Sequence, residues 1–286
     1  MLACVALFNL SAASIALAQT TAKLPVGMSF VARGAGGPWG LYRVAAGGGI
    51  ERIPTEQEPR QACVTPDGSQ AVYAAADATV RLRSDGRETI VLRADPKRAY
   101  TQPCMSRDGG EVHVVEMADG KSVETEILRL RAGDTGGVPV ARQPGAQHDP
   151  FVYDKRWLVY ASVGCSYGCE ELLVEIWARD LVAGKARQLT LLNALSQNPV
   201  TDGRRVVFSS NASGTHQLWQ VGWDGAGLRR LTEGPRQAVQ PALCSGTVHF
   251  VRAGPDGAVI ARLDDDGRIT ELPVPGLTSF RALRCL

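Results

Sequence analysis

The sequence has no block of like charges, few histidines and, beyond its first residues, no long apolar run. Lys and Arg total 31 against 29 acidic residues, which gives a net charge of +2. No run of five or more like charges occurs, so the basic stripe of a nucleic-acid-binding surface is excluded. The four histidines are scattered and no Cys-x-x-Cys pair exists, which argues against a structural zinc site. We expect no nucleic-acid partner, no metal and no other cofactor.

Residues that form tight turns are abundant, and the first residues differ in composition from the rest. The 286 residues include 31 Gly and 16 Pro, which is typical of a globular chain with many short elements. Residues 1–18 carry no charge and end on the small-x-small sequence Ala16-Leu17-Ala18. This run is short for a membrane span and typical of a secretory signal. We expect residues 1–18 to be a signal peptide. Residues 19–286 are then one periplasmic or secreted domain, without a membrane span after cleavage.

A repeat of 41 to 42 residues runs along the chain. Trp177 and Trp219 are 42 residues apart, and Cys63 and Cys104 are 41 apart. Each unit has a polar residue, usually followed by Pro, and then apolar segments separated by turns such as Asp224-Gly225. Asp-Gly between apolar runs indicates a hairpin, because Gly accepts a positive φ. Four antiparallel strands in such a unit form one blade of a β-propeller.

The count of units predicts an all-β, six-bladed propeller. Five units are complete, and the last strand of the chain completes the first blade and closes the ring. The predicted blades are residues 26–54 plus 279–286, 60–94, 100–141, 148–190, 196–232 and 238–273.

Residues 198–232 resemble the repeat of TolB-type propellers. The resemblance rests on Asn198-Pro199, Asp202-Gly203, Val207-Phe208-Ser209-Ser210-Asn211, Leu218-Trp219, Asp224-Gly225 and Arg229-Arg230-Leu231-Thr232. The other five units match the repeat more loosely, and together the units cover residues 26–286. The resemblance implies a six-bladed propeller that binds envelope proteins in a periplasm. TolB also has an N-terminal α/β domain, which we expect this chain to lack.

One sequence motif is typical of a serine hydrolase. Residues 164–168 read Gly-Cys-Ser-Tyr-Gly, a pattern that places a nucleophile on a strand-to-helix turn in α/β-hydrolases. The later segment Glu175–Thr190 aligns without gaps to Gln217–Thr232. We therefore expect the motif to lie between two strands and not on a strand-to-helix turn. We therefore assign no catalytic residue.

Six cysteines remain after residues 1–18 are removed. An even number in an exported chain predicts disulfides. Their positions in neighbouring blades predict the pairs Cys63–Cys104 and Cys244–Cys285, and their proximity predicts Cys165–Cys169. Buried, unpaired thiols are the alternative.

Polar residues recur where the first strand of each blade begins, at one mouth of the central channel. The candidate binding residues are Gln61, Gln102, His148, Asp149, Gln197, Asn198, Gln240 and Arg281. Such a ring can hold a polar ligand or a peptide terminus. The alternative is that these side chains bond to the backbone between blades.

These features predict a non-catalytic, monomeric propeller that binds an envelope protein or peptide at the channel mouth. The alternative function is a hydrolase or lyase that acts on a peptide or carbohydrate in the channel.

Overall fold

The computed structural model of the protein describes residues 23–118, 125–132, 134, 136–141, 143, 145–165 and 173–286. The predicted signal peptide and the predicted Cys165–Cys169 bond lie outside what is described. The described residues form β-strands and turns and include no helix. Their strands make six four-stranded antiparallel sheets, so the prediction of a six-bladed all-β propeller is confirmed.

The first three blades take up the chain to residue 141. Blade 1 contains β1 (Ser29–Arg33), β2 (Gly40–Val44) and β3 (Ile50–Ile53), together with the last strand, β24 (Ser279–Arg284). Blade 2 contains β4 (Pro59–Val64), β5 (Gln70–Ala75), β6 (Val80–Ser84) and β7 (Arg87–Leu92). Blade 3 contains β8 (Arg98–Met105), β9 (Glu111–Ala118), β10 (Thr125–Arg131) and β11 (Val138–Ala141).

The other three blades follow in chain order. Blade 4 contains β12 (Gln147–Tyr153), β13 (Trp157–Cys165), β14 (Leu173–Asp180) and β15 (Lys185–Gln188). Blade 5 contains β16 (Ser196–Thr201), β17 (Arg205–Ser210), β18 (Gln217–Gly222) and β19 (Arg229–Arg230). Blade 6 contains β20 (Gln237–Cys244), β21 (Thr247–Gly254), β22 (Gly257–Leu263) and β23 (Ile269–Leu272).

The last strand closes the ring, as the sequence predicts. β24 pairs antiparallel with β1 and is the innermost strand of blade 1. A disulfide joins Cys285, just beyond β24, to Cys244 at the end of β20, with a Cα–Cα distance of 5.3 Å. The predicted Cys244–Cys285 bond is therefore present. It fastens the closing strand to the blade on its other side.

One large side chain from the second strand of nearly every blade fills the space between sheets. The strand registers place six residues at equivalent positions, and all are fully buried: Phe30, Tyr73, Val114, Tyr160, Phe208 and Phe250. Five of the six are aromatic, and facing sheets about 10 Å apart need side chains of that size to fill the gap. The alternation of buried and exposed residues along the strands thus forms the core between blades rather than in one central cluster.

The disulfide at the closure makes a measurable contribution to stability. It joins residues 41 positions apart, and the chain-entropy model gives about 4 kcal/mol for a loop of that length. We predict that replacing both Cys244 and Cys285 by Ala lowers the free energy of unfolding in urea by up to that amount. The control replaces Cys63 alone by Ala, which leaves this bond intact. An unchanged midpoint and slope for the double variant would contradict this role for the disulfide.

Candidate functional site

The central channel has two mouths, and the inner strands connect them. Each inner strand begins at the upper mouth, near Gln102 in blade 3, and ends at the lower mouth, near Arg107 in the same blade. The predicted binding residues belong to the upper mouth.

The inner strands share a bulge at the predicted polar positions. Register shifts occur at these points in β8, β12, β16 and β20. The polar residues there have φ values of 52° to 53°: Gln102, Asp149, Asn198 and Gln240. Each is followed by Pro, whose missing N–H is tolerated where a bulge interrupts the ladder. The polar-Pro dipeptide of the repeat is therefore a bulge signal.

The polar side chains of these bulges form hydrogen bonds from blade to blade, which we call the inter-blade belt. The belt consists of Gln102 N to Gln61 Oε1 (3.2 Å), Asp149 N to Gln102 Oε1 (2.8 Å), Asn198 N to Asp149 Oδ2 (3.0 Å), Gln240 Nε2 to Asn198 Oδ1 (3.1 Å) and Ala282 N to Gln240 Oε1 (2.9 Å). Gln102 Nε2 also donates to Asp149 Oδ1 at 2.7 Å. The belt matches the alternative in which these side chains bond between blades. A binding role for them remains a prediction.

The closing blade departs from the predicted ring. The residue of β24 with the left-handed backbone is Ala282, at a φ of 50°, so Ala282 and not Arg281 occupies the position equivalent to Gln240. Arg281 instead donates from Nη2 to Pro59 O at 2.8 Å, which spans the gap where the belt lacks a side-chain acceptor. Blade 1 has no Pro to mark this bulge. The sequence pattern therefore predicts a position one residue too early, at Arg281.

The remaining predicted residues lie beside the belt. His148 and Gln197 precede the bulges of β12 and β16 and are half-buried. Among the described residues, the side chain of Gln197 has no hydrogen-bond partner. The structure therefore brings the predicted residues to one mouth but gives them different roles.

An arginine and tryptophan cluster lies next to the belt at the upper mouth. The guanidinium carbons of Arg281 and Arg33 lie 3.8 Å and 4.6 Å from the centre of a Trp39 ring. Burial, followed by the charges of Arg60 and Arg33, lowers the pKa of Arg281 to about 10, although Glu58 opposes the shift. We call Arg33, Trp39, Arg60 and Arg281 the upper arginine cluster. Among these residues, the sequence identifies Arg281 as a candidate and Arg60 as the neighbour of Gln61. Arg33 and Trp39 are missed because they lie on β1 and on the connection that follows it.

A cavity of about 700 Å³ opens at the lower mouth. All six blades contribute to its wall, through Gly27, Pro66, Arg107, Phe151, Thr201 and Leu243 among others. It therefore lies on the channel axis, at the end opposite to the predicted ring. Sequence reasoning missed it because the first turns of the blades, such as Asp202-Gly203, were recognised only as turns.

Two cysteines occupy the channel between the mouths. Cys63 and Cys104 are fully buried free thiols whose sulfurs are 3.6 Å apart, so the predicted Cys63–Cys104 bond is not formed in the structure. The Cys63 thiol donates to the Cys104 sulfur instead. This hydrogen bond lowers the pKa of Cys104 and raises that of Cys63.

The hydrolase-like motif lies partly within the described residues. β13 ends at Cys165, the second residue of the motif, and pairs antiparallel with β14, with Cys165 opposite Leu173. The described residues on both sides are therefore strands, as the sequence predicts. Ser166 itself lies outside the described residues. Within the described part, no group of three His, Cys, Asp or Glu side chains is arranged to hold a metal ion.

The belt predicts a stability effect that separates structure from binding. Replacing Gln102 by Met removes the acceptor of the Asp149 N–H and should lower the free energy of unfolding by about 1–3 kcal/mol. Gln197→Met is the matched control, and we expect a change within about 0.5 kcal/mol. Chemical denaturation measures both. A Gln102→Met protein of unchanged stability that no longer binds its partner would assign this residue to recognition.

The contact between the two thiols predicts their state in an oxidising compartment. Sulfurs at this distance need only a small side-chain movement to bond. We predict that protein recovered from the periplasm, alkylated under denaturing conditions, yields linked Cys63–Cys104 peptides by mass spectrometry. The Cys244–Cys285 peptides serve as the internal control. Recovery of Cys63 and Cys104 as two alkylated thiols beside an intact Cys244–Cys285 pair would refute the prediction.

Comparison with known proteins identifies the fold. No protein family and no curated protein matches the sequence. A putative TolB from Agrobacterium tumefaciens is similar at a TM-score of 0.65 and 18% identity, over 86% of this chain and 88% of that one. TolB from Acinetobacter baumannii is similar at 0.71 and 15%, over 90% of this chain and 65% of that one. A puromycin-hydrolyzing peptidase from Mycobacterium tuberculosis is similar at a TM-score of 0.61 and 15% identity, over 87% of this chain and 47% of that one.

These identities are low, and the likeness is one of fold. The chain spans 65% of the Acinetobacter baumannii protein's length. Propellers of different activities share this architecture, so the architecture alone assigns no activity. In its fold, the chain is a TolB-like six-bladed β-propeller.

Proposed function

We propose that this propeller is a non-catalytic binding protein of the cell envelope that recognises an acidic protein or peptide segment at its upper mouth. The observation that carries the proposal is the upper arginine cluster. Arg33 and Arg281 stack on Trp39, and the charges of Arg60 and Arg33 act on Arg281 against that of one acid, Glu58. The cluster therefore presents an excess of positive charge beside the upper mouth.

The composition of the cluster is that of an interaction surface. Trp and Arg are the residues most enriched among those that dominate binding energy. Arg60 is exposed, whereas Arg33, Trp39 and Arg281 are half-buried. The stacking of Arg281 and Arg33 on Trp39 restricts these long side chains before any partner arrives, which reduces the entropy lost on binding.

The belt supports the same proposal by making the mouth rigid. Each inner strand is bonded to the next, and Arg281 bonds to Pro59 O across the closure. Loops on a rigid ring present side chains at fixed spacing, which favours recognition of a surface over wrapping by induced fit.

The compartment and the class of partner are part of the proposal. The apolar start of the sequence and the resemblance to TolB-type propellers support export to the periplasm and a protein or peptide of the envelope as partner. The described residues include no helix long and apolar enough to cross a membrane. We propose that the propeller acts as a monomer.

A propeller hydrolase or lyase is the competing function. The resemblance of the fold to a puromycin-hydrolyzing peptidase supports it, as does the Gly-Cys-Ser-Tyr-Gly motif. Labelling of Ser166 by a fluorophosphonate probe for active serines, abolished in Ser166→Ala, would establish that function and remove the one proposed above.

Charge reversal in the cluster tests the proposal. A random peptide library displayed on phage is selected against the purified propeller, and the selected peptides are titrated by fluorescence anisotropy. We predict that they are rich in Asp and Glu and that Arg60→Glu weakens their binding at least tenfold, or about 1.4 kcal/mol. The reason is that an attractive charge becomes a repulsive one at the centre of the contact.

A matched variant controls for net charge. Arg87→Glu makes the same change at an exposed position on β7, the outer strand of the blade that also holds Arg60, and should leave the dissociation constant unchanged. Equal weakening by both variants, or selected peptides without acidic residues, would show that the upper arginine cluster is not the site.

A further inference from the structure

We propose that the central channel contains a second, separate binding site, in which Arg284 holds a small oxyanion such as a phosphate or a carboxylate that enters from the lower mouth. The site lies at the far end of the channel from the upper arginine cluster and does not depend on the proposed partner.

Arg284 is a buried cation without a compensating acid. Its relative exposure is 8%. Within the described residues its one hydrogen bond runs from Nη1 to the neighbouring Leu283 O at 3.1 Å, and its Nε is buried without an acceptor. A guanidinium has five N–H donors, and a buried one normally has a carboxylate opposite. Most of its donor capacity is therefore unused.

The position of Arg284 places it among the residues that fill the channel. It lies two residues beyond the bulge of β24, and the equivalent residues of the other inner strands are Cys63, Cys104, Phe151, Val200 and Ala242. All five are buried and none is charged. We call these six residues the channel layer. Arg284 is its one polar exception.

The charge of Arg284 reaches two other blades of the channel layer. Its positive charge acts on Cys63 in the adjacent blade and on Cys104 in the blade after that. The charge favours the thiolate form of both, in Cys63 against the larger effects of the hydrogen bond to Cys104 and of burial. The guanidinium is therefore close to the two thiols of the channel layer.

The lower cavity borders this layer, and Arg284 itself lies just behind the residues that line it. Phe151 belongs both to the channel layer and to the wall of the cavity, and Cys285 and Leu286, which follow Arg284, also line it. A volume of about 700 Å³ is ample for phosphate or a dicarboxylate and lies in the range of small-molecule sites.

The rim of the cavity carries further positive charge. Arg107 and Arg204 line it, are exposed and have no acidic partner among the described residues. Asp154 and Asp202 line it as well. Asp202 is compensated by Arg205 at 3.8 Å and accepts two backbone N–H groups. With Asp202 compensated, two unpaired arginines face the single aspartate Asp154 at the rim, which favours the entry of an anion.

An oxyanion is the ligand that fits these donors. The planar guanidinium binds carboxylate or phosphate oxygens through two parallel N–H bonds. An uncharged ligand would leave the buried positive charge uncompensated. A cation is excluded because it would meet the uncompensated positive charge of Arg284.

The experiment follows the guanidinium directly. Protein labelled with ¹⁵N-arginine is titrated with inorganic phosphate and, separately, with succinate, at constant ionic strength set with NaCl. The Nε–Hε resonance of Arg284 is assigned by its absence in Arg284→Lys. We expect this resonance to shift in a saturable manner with at least one of the two probes, and the tighter probe identifies the class of oxyanion.

Two variants separate the channel from the rim. Arg284→Met replaces a buried charge by an apolar side chain of similar length, a change that is often neutral or stabilising when the charge has no partner. We expect it to fold, with probe affinity at least tenfold lower by calorimetry. The double variant Arg107→Gln and Arg204→Gln changes exposed residues only and should weaken binding two- to fivefold while the Arg284 resonance still shifts.

The contrary results are equally clear. An Arg284 resonance that does not move with either probe, or phosphate and succinate affinities unchanged in Arg284→Met, would overturn the proposal. Should Arg284→Met fail to fold, the resonance in the wild type and in the double rim variant still decides. The Arg60→Glu protein binds the probes normally if the channel site exists, so failure here is distinguishable from failure at the upper mouth.

Discussion

The inter-blade belt is the interaction on which the architecture depends. The bulge residues of blades 3 to 6 and Ala282 of blade 1 have a left-handed backbone, which costs a non-glycine residue about 1–2 kcal/mol. In blades 2 to 6 the side chain at this mouth accepts a hydrogen bond from the blade that follows. Asp149 illustrates the exchange, because its N–H bonds to Gln102 while its carboxylate accepts from Asn198. An isolated blade would keep the unfavourable backbone conformation of its bulge residue without the hydrogen bond to the next blade. The ring therefore gains from closing, and β24, with Arg281 on Pro59 O and Cys285 on Cys244, completes it.

Much of this fold can be predicted from the sequence, because the residues that indicate its turns and strands are close together in the chain and recur from blade to blade. Asp202-Gly203 predicts a turn by its own chemistry, since Gly203 has a φ of 81°, and the same dipeptide recurs at one period. The unpaired segment at 279–286 predicts closure because the first blade lacks an inner strand. Cys244 and Cys285 follow from the same reasoning, as they end neighbouring inner strands.

The candidate site was harder to predict for a physical reason. Gln102 or Asn198 at a channel mouth has the same sequence pattern whether its side chain faces a ligand or bonds to the next blade, and only the folded structure distinguishes the two. The predicted ring is also shifted by one residue in blade 1. There Leu283 replaces the Pro that marks the bulge in other blades. Trp39 and Arg33 come from other strands and connections, and their approach to Arg281 requires the closed ring. The lower cavity is similarly a property of six convergent turns.

The departures from the repeat are concentrated in the blade that combines both ends of the described chain. In the channel layer the other blades place Cys, Phe, Val or Ala, and blade 1 places Arg284. At the belt the other blades place an amide or a carboxylate, and blade 1 places Ala282 beside Arg281. Each of the other blades packs against a similar blade on both sides, so a charged side chain in the belt or in the channel layer would be unfavourable there. The inner strand of blade 1 is held instead by its pairing with β1 and by a disulfide. Because the disulfide also holds this strand, it can carry residues that contribute little to packing. Both positively charged sites, the upper arginine cluster and Arg284, include residues of this strand.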